Sequence, residues 1–204
     1  MKVAVVNYGM GNLGSVRRAL EQLQAQVVIA DDPAAIDGVD RIILPGVGAF
    51  GEGMARLRAA GWVDALHHHV NEAGTPLLGI CLGMQMLGSS SLESGASEGL
   101  GFIPGRVERL DALGCSLRIP HVGWNDVAFQ GGARLFEGIP QDTDFYFVHG
   151  YSLEPDDPAD VCATTTYGVP LAAAVQRGHV FGTQFHPEKS SRAGWKILKN
   201  FLAC

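Results

Sequence analysis

The sequence predicts an α/β fold, an open and mostly parallel sheet flanked by helices, with an antiparallel β-rich C-terminal half. Two patterns lead to this fold class. Over the first ninety residues, short apolar runs alternate with amphipathic stretches, and this alternation is typical of βαβ units in a sheet covered on both faces. From about residue 102 to residue 184, short β-rich runs are broken by glycine and proline, which favours antiparallel hairpins.

The elements follow from these patterns in chain order. Four apolar runs predict buried strands, at residues 3–7, 27–30, 41–44 and 76–81. Between them, amphipathic spacing predicts three helices, at residues 15–24, 52–60 and 62–73. A last helix is expected over 191–201, because Trp195, Leu198 and Phe201 recur three apart on one face. Without an internal repeat or a convincing linker, we expect one domain over 1–204.

Charge and composition limit the classes of possible partner. The chain has 15 basic and 21 acidic residues, a net charge of −6 and no Lys/Arg run, which argues against nucleic acid or an anionic membrane as the main partner. The apolar run before Asn7 is too short for a secretory segment, and no stretch approaches the roughly 18 apolar residues of a membrane span. We therefore expect a cytoplasmic protein.

The cysteines and a histidine run were considered as metal ligands. The four cysteines, at 81, 115, 162 and 204, form no C-x-x-C pair, so we expect reduced thiols, with a packing or surface role for all but Cys81. Residues 67–69 are three consecutive histidines on a predicted helix. Their side chains diverge by about 100° each and cannot converge on one ion. No metal site is expected.

The segment from Gly79 to Gly83 has the form G-x-C-x-G, directly after an apolar run and before a helix-compatible stretch. This context predicts a nucleophile elbow, in which glycines avoid collisions around a strained, displayed cysteine. The sulfur of Cys81 would lie at a helix N-terminus, which favours thiolate, and the Leu82 N–H could donate to an oxyanion. The alternative is a small buried cysteine at a strand end, with the two glycines serving a tight turn.

A candidate base lies at residues 184–189, after the last β-like run. Residues two apart in an extended segment point the same way, so His186 and Glu188 can share a face while Pro187 stiffens the turn. A carboxylate beside an imidazole fixes its tautomer and stabilises the imidazolium. The alternative is a surface turn. The combination with the elbow favours a Cys81-His186-Glu188 triad that attacks a carboxamide.

A second glycine-rich loop, at residues 44–54, follows a predicted strand and precedes a helix. It lies at the edge where open α/β sheets bind ligands. A phosphate cradle is one interpretation, although the loop lacks a Walker lysine and a dinucleotide-binding pattern. The other is that its backbone N–H groups complete an oxyanion hole beside Cys81.

Together these motifs resemble the class I, triad-type glutamine amidotransferases, in which a Cys-His-Glu triad hydrolyses glutamine to glutamate and ammonia. The elbow and residues 185–188 carry this resemblance, which covers nearly the whole chain. Three more segments resemble the glutaminase subunits of imidazole glycerol phosphate synthases: residues 45–54, 120–125 and 146–149. The resemblance implies the flavodoxin-like fold of the family, L-glutamine as substrate and no cofactor.

The resemblance also implies roles for individual residues. Cys81 would form a γ-glutamyl thioester, His186 would shuttle protons, and Glu188 would hold the imidazole. Oxyanion donors would be Leu82 and, after a peptide flip, Val47. The residues against glutamine would be Gly48, Gln85, Glu93, Gly150 and Tyr151. The residues facing a partner subunit would be Asn12, Trp124, Tyr146 and Lys189. Alternatively, Asn12 and Gln85 are ordinary helix-start residues, Trp124 and Tyr146 are core aromatics, and Lys189 is a solvated charge.

A partner is expected because one domain of 204 residues leaves no room for the chemistry that consumes ammonia. The resemblance implies a heterodimer with a (β/α)₈ cyclase subunit, which makes imidazole glycerol phosphate and AICAR in histidine biosynthesis. We also expect the loop at 45–48 to rest with one oxyanion donor missing. Two rivals stay open: a glutaminase subunit of another synthase, such as one of the pyridoxal phosphate pathway, and a non-catalytic flavodoxin-like module that keeps the elbow shape.

Overall fold

The computed structural model describes residues 1–93 and 95–204 and has two sheets. The strands of the large sheet are β1 Lys2–Val6, β2 Gln26–Ala30, β3 Arg41–Gly46, β4 Leu77–Cys81, β8 His121–Phe129, β9 Thr143–His149, β11 Val161–Tyr167, β12 Val169–Arg177 and β13 Val180–Thr183. The strands of the small sheet are β5 Ser90–Ser91, β6 Ser97–Glu98, β7 Gly105–Arg109 and β10 Tyr151–Pro155. The α-helices are α1 Leu13–Gln22, α2 Phe50–Ala59, α3 Trp62–His67, α4 Leu82–Met86 and α5 Ser191–Ala203.

The N-terminal half is the parallel sheet that the apolar runs predict. Strands β2, β1, β3 and β4 are neighbours in this order, and each pair is parallel. Alternate residues of β1 face opposite layers: Ala4 packs with α2 and α3, whereas Val5 packs with α1 and α5. Because both faces are covered, the central strands are apolar throughout and show no alternation in the sequence.

The helix predicted over 62–73 is regular only in its first part. Helix α3 ends at His67, and a π-helical turn at His68–Glu72 completes the segment. The Ala73 N–H donates to His68 O, five residues back. A single wider turn of this kind shifts the apolar spacing by less than about one residue, so the sequence pattern could not separate it from an α-helix. No helix among the described residues combines the length and apolarity needed to cross a membrane.

The β-rich C-terminal half is antiparallel, as predicted, and it extends the same large sheet. Strand β13 pairs antiparallel with β12 on one side and parallel with β4 on the other. In this register Gly182 lies opposite Gly79, and Thr183 lies opposite Ile80. The carboxyl ends of β4 and β13 therefore meet at one edge of the sheet, so the residues that follow each strand become neighbours. The sequence did not predict the small sheet.

Candidate active site

Cys81 is the last residue of β4, and α4 begins at the next residue. Its backbone has φ +56° and ψ −110°, a conformation that costs free energy for a residue with a side chain. A Cβ added to Gly79 would lie 2.6 Å from Gly83 O, and one added to Gly83 would overlap Leu44 O. The predicted strand-turn-helix geometry is therefore confirmed, and both flanking glycines are required by close backbone packing.

His186 and Glu188 follow β13 and form a buried pair. The distance from His186 Nδ1 to Glu188 Oε1 is 2.8 Å, and the two side chains are 3% and 1% exposed. The backbone is held as well, because the His186 N–H donates to Tyr146 O at 2.9 Å. Burial by itself lowers the pKa of His186, but hydrogen bonds and charge interactions with Cys81 and Glu188 outweigh it and raise this pKa to about 9. The pair is therefore not a surface turn.

A cavity of about 300 Å³ opens beside Cys81 and His186. Seven of the residues predicted to hold glutamine or its oxyanion line it: Val47, Gly48, Leu82, Gln85, Glu93, Gly150 and Tyr151. Lys189, predicted as a partner-facing residue, also lies on its wall. The predicted catalytic and substrate residues are thus brought together in space, although they are spread over 142 residues of the chain from Val47 to Glu188.

The glycine-rich loop after β3 reaches this cavity directly. Gly46 lies opposite Cys81 in the register of β3 and β4, so Val47 and Gly48 continue past the sulfur. A Cβ on Gly46 would lie 2.5 Å from the Tyr8 hydroxyl oxygen, which explains a glycine at this position. Gly48 has φ +110°, a conformation that favours glycine. This position beside the thiol fits an oxyanion loop better than a phosphate cradle.

Two polar residues predicted to contact glutamine are held by specific hydrogen bonds. The Glu93 carboxylate accepts from the Phe50 N–H at the start of α2, at 2.8 Å. Gln85 is buried, and its Nε2 donates to Tyr151 O and to Gln184 Oε1, each at 3.0 Å. Gln85 is therefore part of the cavity wall and not an ordinary polar residue at a helix start.

Three of the four predicted interface residues lie close together. Trp124 is 53% exposed and lies opposite Tyr146 in the pairing of β8 and β9, with the ring centroids 5.9 Å apart. Lys189 Nζ lies 5.9 Å from the Tyr146 ring. Trp124 is consequently not a core aromatic. Asn12 differs, because its Oδ1 accepts from the Ser15 N–H at 3.4 Å and caps α1, as the helix-start alternative expects.

Sequence reasoning missed polar groups around the thiol. Gln184 is fully buried and its Nε2 donates to Cys81 Sγ at 3.7 Å, while the thiol is 3.7 Å from Val148 O. Tyr8 is also buried, and burial together with the charge of Cys81 raises the pKa of its phenol. The signal for Gln184 was a polar residue at the end of an apolar strand, next to the predicted base. Tyr8 gave no comparable signal.

The remaining thiols and the three consecutive histidines at 67–69 lie outside this site. Cys115 and Cys162 are buried and Cys204 is half-buried, and all are free. Burial raises the pKa of Cys162 to about 12, so it is an unreactive thiol. The three consecutive histidines have separate partners: Asn71 for His67, Glu72 for His68 and Asp37 for His69. In the part of the chain that the structure describes, no group of three or more His, Cys, Asp or Glu residues is arranged to hold a metal ion.

An α/β sheet with a nucleophile elbow at the carboxyl edge defines a broad class of hydrolase-like folds. A family model described as Glutamine amidotransferase class-I matches residues 4–204. Imidazole glycerol phosphate synthase subunit HisH from Moorella thermoacetica is 51% identical over 98% of this chain and 93% of its own length. The same subunit from Syntrophotalea carbinolica is 45% identical over 98% of both chains. The chain therefore belongs to the class-I glutamine amidotransferases and, within them, to the HisH subunits of imidazole glycerol phosphate synthase.

Solved structures agree on the fold. A structure of PurLQS from Thermotoga maritima has a TM-score of 0.76 at 21% identity, covering 99% of this chain and 97% of that chain. A crystal structure of a glutamine amidotransferase has a TM-score of 0.77 at 21% identity, covering 98% and 97%. At this identity the likeness concerns architecture alone, and it confirms the predicted parallel sheet with an antiparallel C-terminal half.

Proposed function

We propose that this chain is a glutaminase subunit that hydrolyses L-glutamine to L-glutamate and ammonia through Cys81, His186 and Glu188. One observation carries the proposal: a single cavity is lined by Cys81 of the elbow and by His186, whose Nδ1 is paired with the buried Glu188 carboxylate. Membership in the class-I glutamine amidotransferases, together with the HisH relatives, supports glutamine as the amide. The relatives named above do not point to a rival synthase of the pyridoxal phosphate pathway.

The geometry supports a two-step acyl transfer. His186 takes the thiol proton of Cys81, and the thiolate attacks the carboxamide carbon of glutamine. The Leu82 N–H and a donor from the loop at Val47 stabilise the oxyanion. The C–N bond then breaks, and His186 returns the proton to the departing nitrogen. Ammonia is released, and the γ-glutamyl group remains on Cys81 as a thioester. Water, deprotonated by His186, attacks this thioester; glutamate leaves, and the thiol is regenerated. Glu188 holds the imidazole in one tautomer throughout.

We propose further that ammonia passes to a cyclase subunit in a heterodimer that makes imidazole glycerol phosphate and AICAR. The exposed Trp124, with Tyr146 and Lys189 beside it, offers an aromatic and cationic docking surface next to the cavity. Asn12 joins this proposal only through the family resemblance, since α1 capping already explains it. Four free cysteines fit a reducing compartment, which supports a cytoplasmic location. We regard 1–204 as one domain, without nucleic acid or membrane among its partners.

The direct test is covalent labelling with an electrophilic analogue of glutamine, followed by mass spectrometry. The wild-type chain in complex with its partner should acquire one adduct, on Cys81. Cys115→Ser is the matched control, because it removes another buried thiol, and it should label like the wild type. Cys81→Ser should not label. If the wild type takes up no adduct, the glutaminase proposal is wrong and a non-catalytic module is favoured.

A second experiment tests the partner and the resting loop. Affinity purification from the native host should recover a (β/α)₈ cyclase, and recovery of an unrelated synthase instead would overturn the pathway assignment. If the loop at Val47 rests without its donor, the isolated chain should hydrolyse glutamine about 10²- to 10³-fold more slowly than the complex. Equal rates for the isolated chain and the complex would contradict this gating.

A further inference from the structure

A hydrogen-bonded pair of buried histidines lies behind the glutamine side of the cavity, and the proposed mechanism does not use it. His121 and His149 are directly opposite in the pairing of β8 and β9, and both are at least 95% buried. Their ring nitrogens, Nδ1 of His121 and Nε2 of His149, are 3.0 Å apart. His149 also lines the cavity.

The neighbours of the pair determine the direction of each hydrogen bond. Tyr151 O can only accept, so His149 Nδ1, at 2.9 Å, must carry a proton and donate. In the neutral ring, His149 Nε2 is then an acceptor, and His121 Nδ1 must donate to it. His121 Nε2 is left as an acceptor, matching the Asn125 amide nitrogen at 3.4 Å. That same amide donates to Thr166 O at 2.9 Å.

Both histidines must be neutral for this arrangement to exist. Burial lowers the pKa of His121 to about 4. Burial also lowers the pKa of His149 to about 4, against the opposing effect of its bond to Tyr151 O. The aromatic rings of Phe147 and Tyr167 stack on His121, with centroids 4.9 and 4.1 Å away, and hold its plane. The pair is therefore a set of neutral, oriented hydrogen-bonding groups and not a proton donor to the reaction.

The chain of bonds continues to the thiol. Tyr151 O accepts a second bond, from Gln85 Nε2, whose other hydrogen goes to Gln184 Oε1. Gln184 Nε2 in turn donates to Cys81 Sγ. The nitrogen of Gln85 is thus committed to two protein acceptors, and its amide is held in one of its two orientations. Moving Tyr151 O would release that orientation.

We infer that His121 and His149 are positioning residues for glutamine, because they hold Tyr151 O and, through it, the carboxamide of Gln85 on the cavity wall. The inference rests on the proposed glutaminase function. His121 and His149 are on the inner face of the β8–β9 ribbon, whereas Val122 and Trp124 are exposed on its outer face.

The test is steady-state kinetics of the complex with its cyclase partner. His149→Leu removes both bonds of the ring, so the KM for glutamine should rise about 10-fold or more while kcat changes less than about threefold, because the triad is untouched. His149→Asn keeps a donor near the Nδ1 position and should restore most of the KM. His149→Gln places its amide near the Nε2 position, loses the donor to Tyr151 O and should behave like His149→Leu.

Two controls distinguish a positioning role of His149 from a general loss of folding or of site structure. His179 also bonds a backbone carbonyl, Val70 O at 2.8 Å, outside the site, so His179→Leu should leave the KM unchanged. Alkylation of Cys81 by iodoacetamide, which needs no glutamine contacts, should proceed in the His149 variants within about twofold of the wild-type rate. If His149→Leu fails to fold, the comparison of His149→Asn with His149→Gln carries the test.

The inference is overturned if His149→Gln keeps the wild-type KM, or if His149→Asn restores nothing while alkylation and kcat fall together. Either result would make the pair a purely structural element. If the wild type hydrolyses glutamine and the His149 variants keep the wild-type KM, the inference alone is overturned and the proposed function stands. A wild type that neither hydrolyses glutamine nor labels at Cys81 overturns the proposed function, and the inference with it.

Discussion

The parallel half of the large sheet, β1 to β4, and its antiparallel half, β8, β9 and β11 to β13, build the site in different ways. The parallel half supplies its groups locally, since the loop at Val47 directly follows β3 and Cys81 directly ends β4. The antiparallel half supplies His186 and His149, and strand β10 of the small sheet supplies Tyr151, from segments that are remote in sequence from Cys81. The shape of the nucleophile is thus a property of a few consecutive residues. In the proposed mechanism, its chemistry depends on groups that only the complete fold brings to it.

Strand β13 connects the two contributions. It is parallel to β4 and antiparallel to β12, so it belongs to both halves. A register shift of one residue would reverse the faces of Gln184 and His186 and remove them from Cys81. We therefore expect that substitutions in the antiparallel half can abolish glutamine hydrolysis without altering the elbow. Substitutions of the elbow glycines should lower the stability of the fold as well.

The largest expected effect is at the nucleophile itself. Cys81→Ser keeps the elbow but removes the thiolate, so glutamine hydrolysis by the complex should fall by about 10⁴-fold or more, by analogy with other triads. A coupled glutamate assay measures this change. Cys115→Ser, a second buried thiol that bonds Tyr167 O, should keep the wild-type rate. Retention of most activity in Cys81→Ser would place the chemistry elsewhere.

The next effect tests the antiparallel half alone. Glu188→Gln preserves the shape of the side chain but removes the charge that stabilises the imidazolium, so kcat should fall by about 10²- to 10⁴-fold. Circular dichroism and the melting curve should show a folded chain. Glu98→Gln, at an almost fully exposed glutamate, is the control and should change nothing. A wild-type kcat in Glu188→Gln would remove the carboxylate from the mechanism.

The elbow itself is tested through stability. A Cβ at residue 83 would overlap Leu44 O, a backbone atom that cannot move aside cheaply, so Gly83→Ala should lower the free energy of unfolding by about 3 kcal/mol. Denaturant titration measures the change. Gly131→Ala, where an added Cβ meets nothing within 4 Å, should shift it by less than about 0.5 kcal/mol. Equal stability of the two variants would show that the elbow is not tightly packed.

The smallest expected effect concerns the outer face of the β8–β9 ribbon. Trp124→Ala should weaken binding of the cyclase subunit about 10- to 30-fold, because large exposed aromatics dominate protein interfaces. The melting temperature of the isolated chain should hardly change. Trp195→Ala removes a comparably exposed tryptophan from α5 and should leave the dissociation constant unchanged. Calorimetric titration measures the dissociation constant of each variant for the cyclase subunit. Equal weakening by Trp124→Ala and Trp195→Ala would contradict a docking surface at Trp124.

The same two halves explain how much could be predicted from the sequence. The elbow, the strands around it and the His186–Glu188 pair were accessible, because each depends on residues close together in the chain. Gln184, Tyr8 and the His121–His149 pair were not identified, because their partners come from distant strands whose order and register the local pattern does not reveal. The cap formed by Asn12 shows the opposite case, in which a local hydrogen bond is sufficient to explain a residue.

The most direct test of the central claim is the titration of His186 by NMR in the chain labelled with ¹⁵N-histidine, assigned by loss of the signal in His186→Gln. Its pKa is raised from 6.5 to about 9, so the imidazolium contributes stability below pH 6.5 that is lost as the pH rises through about 9. The inflection should lie near pH 9 in the wild type and at lower pH in Cys81→Ser and Glu188→Gln. An inflection at or below pH 6.5 in the wild type, unchanged in both variants, would contradict the claim that His186, Glu188 and Cys81 act as one unit.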